Sequence, residues 1–165
     1  MKIIIVLSML LGLQSCKSQT ARIEAVIARV DTVDLSRLKG LTLYFRSRGY
    51  DRGTSVYFVS SDYKVKCSPY VVDYDENKKS IIQIRNDLVL NTCGTEYLTK
   101  EEIKDAIDLY MKCKVSLLQV DSSGNVYINP GLPEKATLLR KAPHSTPMDF
   151  EEYWHYKGDW YIRKK

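Results

Sequence analysis

Thr99-Lys100-Glu101-Glu102 is the segment that most restricts what this chain can fold into. A threonine followed three residues later by a glutamate is the capping-box pattern. Each side chain satisfies a backbone N–H that the first helical turn leaves without a partner. Behind it Ile103, Ala106, Ile107, Tyr110 and Met111 recur at helical spacing. Lys104 with Asp108, and Asp108 with Lys112, set opposite charges one turn apart on the other side. The spacing predicts one main helix over about 99–113. A lone amphipathic helix cannot bury its own stripe, so this one needs a sheet to lie on.

The rest of the chain supplies strands. Leu41–Arg46 and Thr54–Ser60 are rich in β-branched and aromatic residues and are separated by a turn region holding Gly49 and Gly53. Tyr63–Cys67 extends or follows the second of them. Tyr70–Tyr74 and Ser80–Arg85 flank Asp75-Glu76-Asn77-Lys78-Lys79 and predict a hairpin, and Leu88–Leu90 is a short further strand candidate. Val115–Val120 and Val126–Asn129 flank a turn at Asp121–Asn125. Glu151–Tyr156 and Trp160–Arg163 read as a terminal hairpin around Lys157-Gly158-Asp159. Glu134–Arg140 reads equally as helix or strand, and Ala142–Pro147 as loop. Near the start, Ile23, Val26, Ile27 and Val30 have helical spacing, and Asp34 caps a short turn that Gly40 stops. The expected class is α+β, mostly antiparallel sheet with one main helix packed on it, without internal repeats.

The N-terminus carries a different kind of information. Lys2 precedes an apolar run from Ile3 to Leu13, broken only by Ser8 and Gly12. That run falls well short of the ~20 apolar residues of a spanning helix and has the form of a secretory leader. It closes in Leu13-Gln14-Ser15-Cys16, which resembles the lipobox of bacterial lipoproteins. The short leader and its Ser15-Cys16-Lys17 junction look like lipoproteins of the Bacteroidetes group. This resemblance implies a signal peptide over 1–15, a lipidated tether over 16–22 and one domain over 23–165. It also implies lipid modification of Cys16, with a diacylglycerol thioether and an N-acyl chain. Two or more chains anchor stably where one does not, since each buried methylene adds about 0.8 kcal/mol. Lys17 stands where aspartate signals inner-membrane retention, and Lys17-Ser18-Gln19-Thr20 lacks the acidic run of surface export. The implied location is the outer membrane, lipid-anchored and facing the periplasm.

Removal of such a leader leaves 24 basic and 20 acidic side chains, a mild excess whose distribution is uneven. Between Arg37 and Lys66 lie Arg37, Lys39, Arg46, Arg48, Arg52, Lys64 and Lys66, against only Asp51 and Asp62. Outside the cytoplasm such a segment meets lipid headgroups, acidic glycans or an acidic protein face rather than nucleic acid. With Cys16 lipidated, Cys67, Cys93 and Cys113 remain in an oxidising compartment, where one disulfide plus one buried thiol is the simplest arrangement. Three pairings are open. Closing Cys67 to Cys93 is worth roughly 3–3.5 kcal/mol on the chain-entropy account. Cys113, at the end of the main helix beside its apolar stripe, reads as a small core residue.

Candidate chemistry is sparse. Ser36-Arg37-Leu38-Lys39 and Ser61-Asp62-Tyr63-Lys64 fit Ser-x-x-Lys, but the companion Lys-Thr-Gly strand of penicillin-recognising enzymes is missing. Asp121, Ser123 and Asn125 alternate like the start of a calcium loop, yet Val126 and Leu132 occupy the places of its glycine and bidentate glutamate. No CxxC or clustered His/Cys spacing suggests zinc, and no metal or other cofactor is expected. Asp73, Asp75 and Glu76, like Glu151 with Glu152, are sequence neighbours rather than carboxylates facing across a cleft. A Cys–His nucleophile would pair Cys93 with His144, Cys93 lying six residues before the capping threonine Thr99.

What remains is surface. Arg46, Arg48 and Arg52 form the heart of the basic segment, and Trp154, Tyr156 and Trp160 dominate the terminal hairpin. Alternation sends Trp154 and Tyr156 to one face, Tyr153 and His155 to the other. The expectation is a non-catalytic, protein-binding envelope lipoprotein, either an accessory subunit or an immunity-type inhibitor. The rivals are a glycan-binding module using the hairpin aromatics and a Cys93/His144 hydrolase.

Overall fold

The computed structural model describes residues 20–147 and 149–164. The expected leader and Cys16 therefore lie outside the described residues, while 20–22, the end of the expected tether, are already helical.

Among the described residues nine strands form a single sheet, every neighbouring pair antiparallel. They are β1 (Leu41–Arg48), β2 (Thr54–Ser61), β3 (Tyr70–Asp75), β4 (Ser80–Arg85), β5 (Leu117–Val120), β6 (Val126–Asn129), β7 (Leu138–Arg140), β8 (Tyr153–Lys157) and β9 (Trp160–Arg163). The order across the sheet is β4-β3-β2-β1-β5-β6-β7-β9-β8. Almost every connection is a hairpin between neighbours, as short turns between alternating segments dictate. Two connections depart from this: β7 to β8 skips the place that β9 takes between them, and the longer one, from β4 at one edge back to β5 beside β1, carries helices α2 (Asp87–Cys93) and α3 (Lys100–Cys113).

α3 is the expected main helix. The Thr99 Oγ1 accepts from the Glu102 N–H at 3.2 Å, and the Glu102 carboxylate accepts from the Thr99 N–H at 2.7 Å. Its stripe of Ile103, Ala106, Ile107, Tyr110 and Cys113 is buried against Leu43, Tyr57, Val59 and Val72 of the sheet. Helix α1 (20–31) lies on the same face and buries Val26, Ile27 and Val30. The Arg29 guanidinium donates to the Cys113 carbonyl at the C-terminal end of α3 (3.3 Å), where a cation meets the negative end of the helix dipole. Both helices thus cover one face of the sheet and, among the described residues, leave the other without a helix.

Local pattern misjudged some segments. Leu88–Leu90 is not a strand but the middle of α2, which ends at Gly94 in the left-handed conformation (φ +74°), its N–H bonded to the Leu90 carbonyl. A three-residue apolar run has no period of its own, so the cap decides. Tyr63–Cys67 does not extend β2: Asp62–Lys64 is a 3-10 turn, its Tyr63 N–H held by the Ser61 hydroxyl at 3.3 Å. Glu134–Arg140 yields only the short β7, paired between β6 and β9.

Cys67 and Cys93 form a disulfide with Cα atoms 5.4 Å apart, and Cys113 is a free, buried thiol whose pKa burial pushes up to about 11. Beside the disulfide, one phenol organises the approach to α3. The Tyr70 Oη accepts from the N–H groups of Tyr97 (2.9 Å) and Leu98 (3.0 Å) and donates to the Leu98 carbonyl (3.2 Å). Tyr70 is fully buried, so removing that oxygen strands two donors at once. Tyr70→Phe is expected to lower stability by about 2 kcal/mol, read from the urea midpoint with an unchanged m-value.

Candidate functional site

On the helix-free face the strands present their alternate residues: Thr42, Tyr44 and Arg46 from β1, Leu117 and Gln119 from β5, Tyr127 from β6, Leu139 from β7 and Tyr161 and Arg163 from β9. A small second core of Leu117, Tyr127, Ala136, Leu139 and Tyr153 covers part of this face, with Phe150 and Tyr161 packed against it. Alongside it a groove of about 950 Å³ runs between the 133–136 segment, β1 and the 62–65 turn.

The acids of this groove are largely occupied by the protein itself. The Asp62 carboxylate accepts from the Thr42 hydroxyl (3.0 Å) and the Gln119 amide (3.1 Å). Asp121 accepts from the Asn125 backbone (2.9 Å) and side chain (2.7 Å). Asp149 accepts from Arg163 at 2.6 Å. Arg163 is the hub of the far wall: it also donates to the Ala136 carbonyl (2.6 Å), the Tyr153 hydroxyl (2.6 Å) and Glu152. Its guanidinium carbon lies 4.5 Å from the centre of the Tyr153 ring. Burial pushes the Tyr153 phenol up to about 12, a rise that the nearby Asp149 reinforces and the cation beside it opposes.

The cations at the near rim are not so occupied. Arg46 stacks over the Phe58 ring at 5.8 Å and, among the described residues, has no carboxylate partner. Lys64 and Lys66 are exposed and flank Val65, which lines the groove and is 86% exposed. Apolar Val65 between two lysines is unusual for a solvated turn, and it sits beside the aromatic floor of Tyr44 and Tyr127.

The expected arginine surface is split. A bulge in β1 lies between Phe45 and Ser47, so Arg46 falls on the helix-free face while Arg48, opposite Ser55, falls on the helix face over Phe45. Arg52 lies in the exposed β1–β2 turn. The hairpin aromatics also separate. Trp160 is only 4% exposed, and its indole N–H donates to both Asp31 oxygens (3.2 Å each), beside an Arg140–Asp31 ion pair at 3.2 Å. The Tyr156 hydroxyl donates to Glu24 at 2.7 Å, and Lys157 reaches the same carboxylate at 3.1 Å. Trp160 and Tyr156 therefore clamp α1 to the sheet rather than face a ligand. Trp154 alone of the three is open, 64% exposed with the Lys164 ammonium 4.5 Å from its ring centre.

The Cys93/His144 pair is also corrected. The Cys93 sulfur is bonded to Cys67, which leaves no thiol there to ionise, and His144 sits in an exposed loop at φ +58°. His155 is a rung of the terminal hairpin, its Nε2 3.0 Å from the Gly158 carbonyl. Ser61 of one Ser-x-x-Lys pair accepts a backbone N–H. Asp121 and Asn125 close their hairpin, the Asn125 side-chain oxygen accepting from Ala142 N–H (2.8 Å) and the Ser145 hydroxyl (2.5 Å). Asp73 holds Arg85 (2.9 and 3.1 Å), and Asp75 caps the 75–78 turn. Among the described residues, no group of three or more His, Cys, Asp or Glu is placed to hold a metal ion, and no helix is long and apolar enough to cross a membrane.

Sequence reading weighted the arginines and missed the 62–66 turn. The signal was present as Lys64-Val65-Lys66, an alternation that looked like strand and in fact is a projecting turn. No family model, curated protein or solved structure matches the chain.

Proposed function

We propose that this chain is a lipid-anchored lipoprotein of the cell envelope whose folded domain binds a partner protein, as an accessory subunit or an immunity-type inhibitor. The anchor rests on the resemblance of Leu13-Gln14-Ser15-Cys16 to a lipobox, with Cys16 as the modified residue. The binding role rests on one observation. The helix-free face carries a groove whose acids are mostly tied up internally, while Arg46, Lys64 and Lys66 at its rim, with Val65 between the lysines, have no ion partner among the described residues. Free cations around an apolar and aromatic floor suit a partner that presents an acidic segment with an apolar anchor. A glycan reading retains only Trp154 of its three aromatics and is the weaker one.

The test uses the tagged full-length chain in crosslinked native envelopes. A protein captured stoichiometrically by the wild type and lost with Arg46→Glu/Lys64→Glu supports the reading. Its undiminished capture by that double variant overturns the assignment of this face, provided the variant's Tm is unchanged. Rim charge reversals act mainly on association, so the loss is expected to be steepest at low salt. Incorporation of labelled palmitate, abolished by Cys16→Ala, tests the anchor separately.

A further inference from the structure

The opposite, helix-covered face ends in a second cavity that the docking reading does not use. It is an open cavity of about 420 Å³ where the β1–β2 hairpin meets the C-terminus of α3. Phe45, Arg48, Ser55, Tyr57, Glu76 and Lys114 line it. Its size falls at the small end of ordinary small-molecule sites.

Its polar groups are unusually poorly matched to one another. Ser55 is fully buried, and among the described residues its Oγ has no hydrogen bond of good geometry, although the Tyr57 hydroxyl, which itself donates to Glu76, lies close beside it. Buried hydroxyls in folded proteins nearly always have a partner, so one bordering a cavity points to what the cavity receives. The Tyr110 hydroxyl, 2% exposed and packed against Tyr57, likewise has no hydrogen bond of good geometry among the described residues, the Phe45 backbone being its nearest polar neighbour. Arg48 stands directly across from Ser55 in the β1–β2 register, within reach of the same ligand atom. Neither Arg48 nor Lys114 has a carboxylate partner among the described residues. Lys114 is the C-cap of α3, in the left-handed conformation at φ +50°, and lines the cavity. On the other side Glu76 accepts the Tyr57 hydroxyl through Oε1 at 2.7 Å, its second oxygen having no hydrogen bond among the described residues.

We propose that this cavity binds a free α-amino acid as its zwitterion. The ligand carboxylate lies between the Arg48 guanidinium and the Lys114 ammonium and takes a hydrogen bond from Ser55. The ligand ammonium meets the second oxygen of Glu76. Ser55 lines the cavity with its Oγ buried in the unliganded chain, so binding in this way requires the side chains around it, Arg48 opposite among them, to shift as the carboxylate enters. A dianion is disfavoured because Glu76 faces the two cations, and a simple amine is disfavoured because the cations face Glu76. The charges thereby select a ligand carrying both signs.

Thermal unfolding of the detergent-purified full-length chain, with each standard L-amino acid at millimolar concentration, provides the test. At least one is expected to raise Tm saturably, whereas acetate and methylammonium at the same concentration do not. Calorimetric titration with that amino acid should give one site, weakened about tenfold or more by Arg48→Gln and by Glu76→Gln. Ser55→Ala should weaken binding without lowering the Tm of the unliganded chain, because it removes an unpartnered hydroxyl. Glu101→Gln, exposed in the first turn of α3 at the far end of that helix from Lys114, should leave the titration unchanged. A Tm rise with none of the amino acids overturns the proposal. So does an equal rise with acetate, which reduces the cavity to a plain anion site, or full-affinity binding by Glu76→Gln.

Discussion

Replacing both Cys67 and Cys93 by serine is expected to lower the stability of the domain by roughly 3–3.5 kcal/mol. The bond closes a loop with a sequence separation of 26 residues, and the cross-link acts mainly by restricting the unfolded chain. It also joins α2 to the segment entering β3, where the Ser68 N–H donates to the Thr92 hydroxyl at 2.8 Å and the Tyr97 hydroxyl to the Ser68 carbonyl at 3.0 Å. Those bonds persist in the double variant, so the native state should keep its shape while the unfolded state expands. The measurement is a pair of urea titrations: a lower midpoint, together with a higher m-value, is the expected signature. A midpoint equal to that of the wild type would show that the bridge constrains nothing that matters. Cys113 supplies an internal control. It is buried within the α3–sheet core, and burial holds its thiol pKa up near 11, so it should react with thiol reagents only on unfolding.

Arg163→Met is expected to cost about 3 kcal/mol, a Tm decrease of roughly 6–12 °C for a domain of this size. Only 12% of the Arg163 side chain is exposed, and it joins the last strand to the 136 backbone, Asp149, Glu152 and the Tyr153 phenol. Methionine keeps much of the stem's volume but leaves Asp149 and the Ala136 carbonyl without their donor. The figure is held to a few kcal/mol because Asp149 and Glu152 are partly open to water, which rehydrates them when the cation is lost. Arg163→Lys should recover less than half of the loss, since one ammonium cannot reproduce a planar fork that reaches several acceptors at once. Thermal unfolding of the two variants decides this. A lysine variant indistinguishable from wild type would mean that charge alone, rather than the fork, holds the hairpin. Loss of this hub should also loosen the far wall of the groove, so partner capture should fall with Arg163→Met even at temperatures where the domain remains folded.

Legibility in the sequence followed the range over which each structural choice is made. The capping box at Thr99–Glu102, the stripe behind it, the Ser80–Arg85 and Val126–Asn129 strands and the buried Cys113 all depend on a few neighbouring residues, and all were readable. So was the helix on Ile23, Val26, Ile27 and Val30, though nothing local revealed that Glu24 and Asp31 on its other positions would reach Tyr156 and Trp160. That pairing spans well over half the chain. The fates of Arg46 and Arg48 turned on one extra residue in β1, because a single bulge reverses the facing of every later residue in its strand. Leu88–Leu90 became a helix because the left-handed Gly94 ends it and the bridge to Cys67 holds it in place.

The antiparallel strands, the main helix on them and the local caps were thus already written in the residue order, since period and capping are specified within a turn or two of chain. Which face stayed bare, which aromatics were spent on fastening α1 and which charges were left unpaired emerged only on assembly. Those outcomes depend on the order in which the nine strands line up and on where two helices land, and both are set by contacts between residues far apart in the chain.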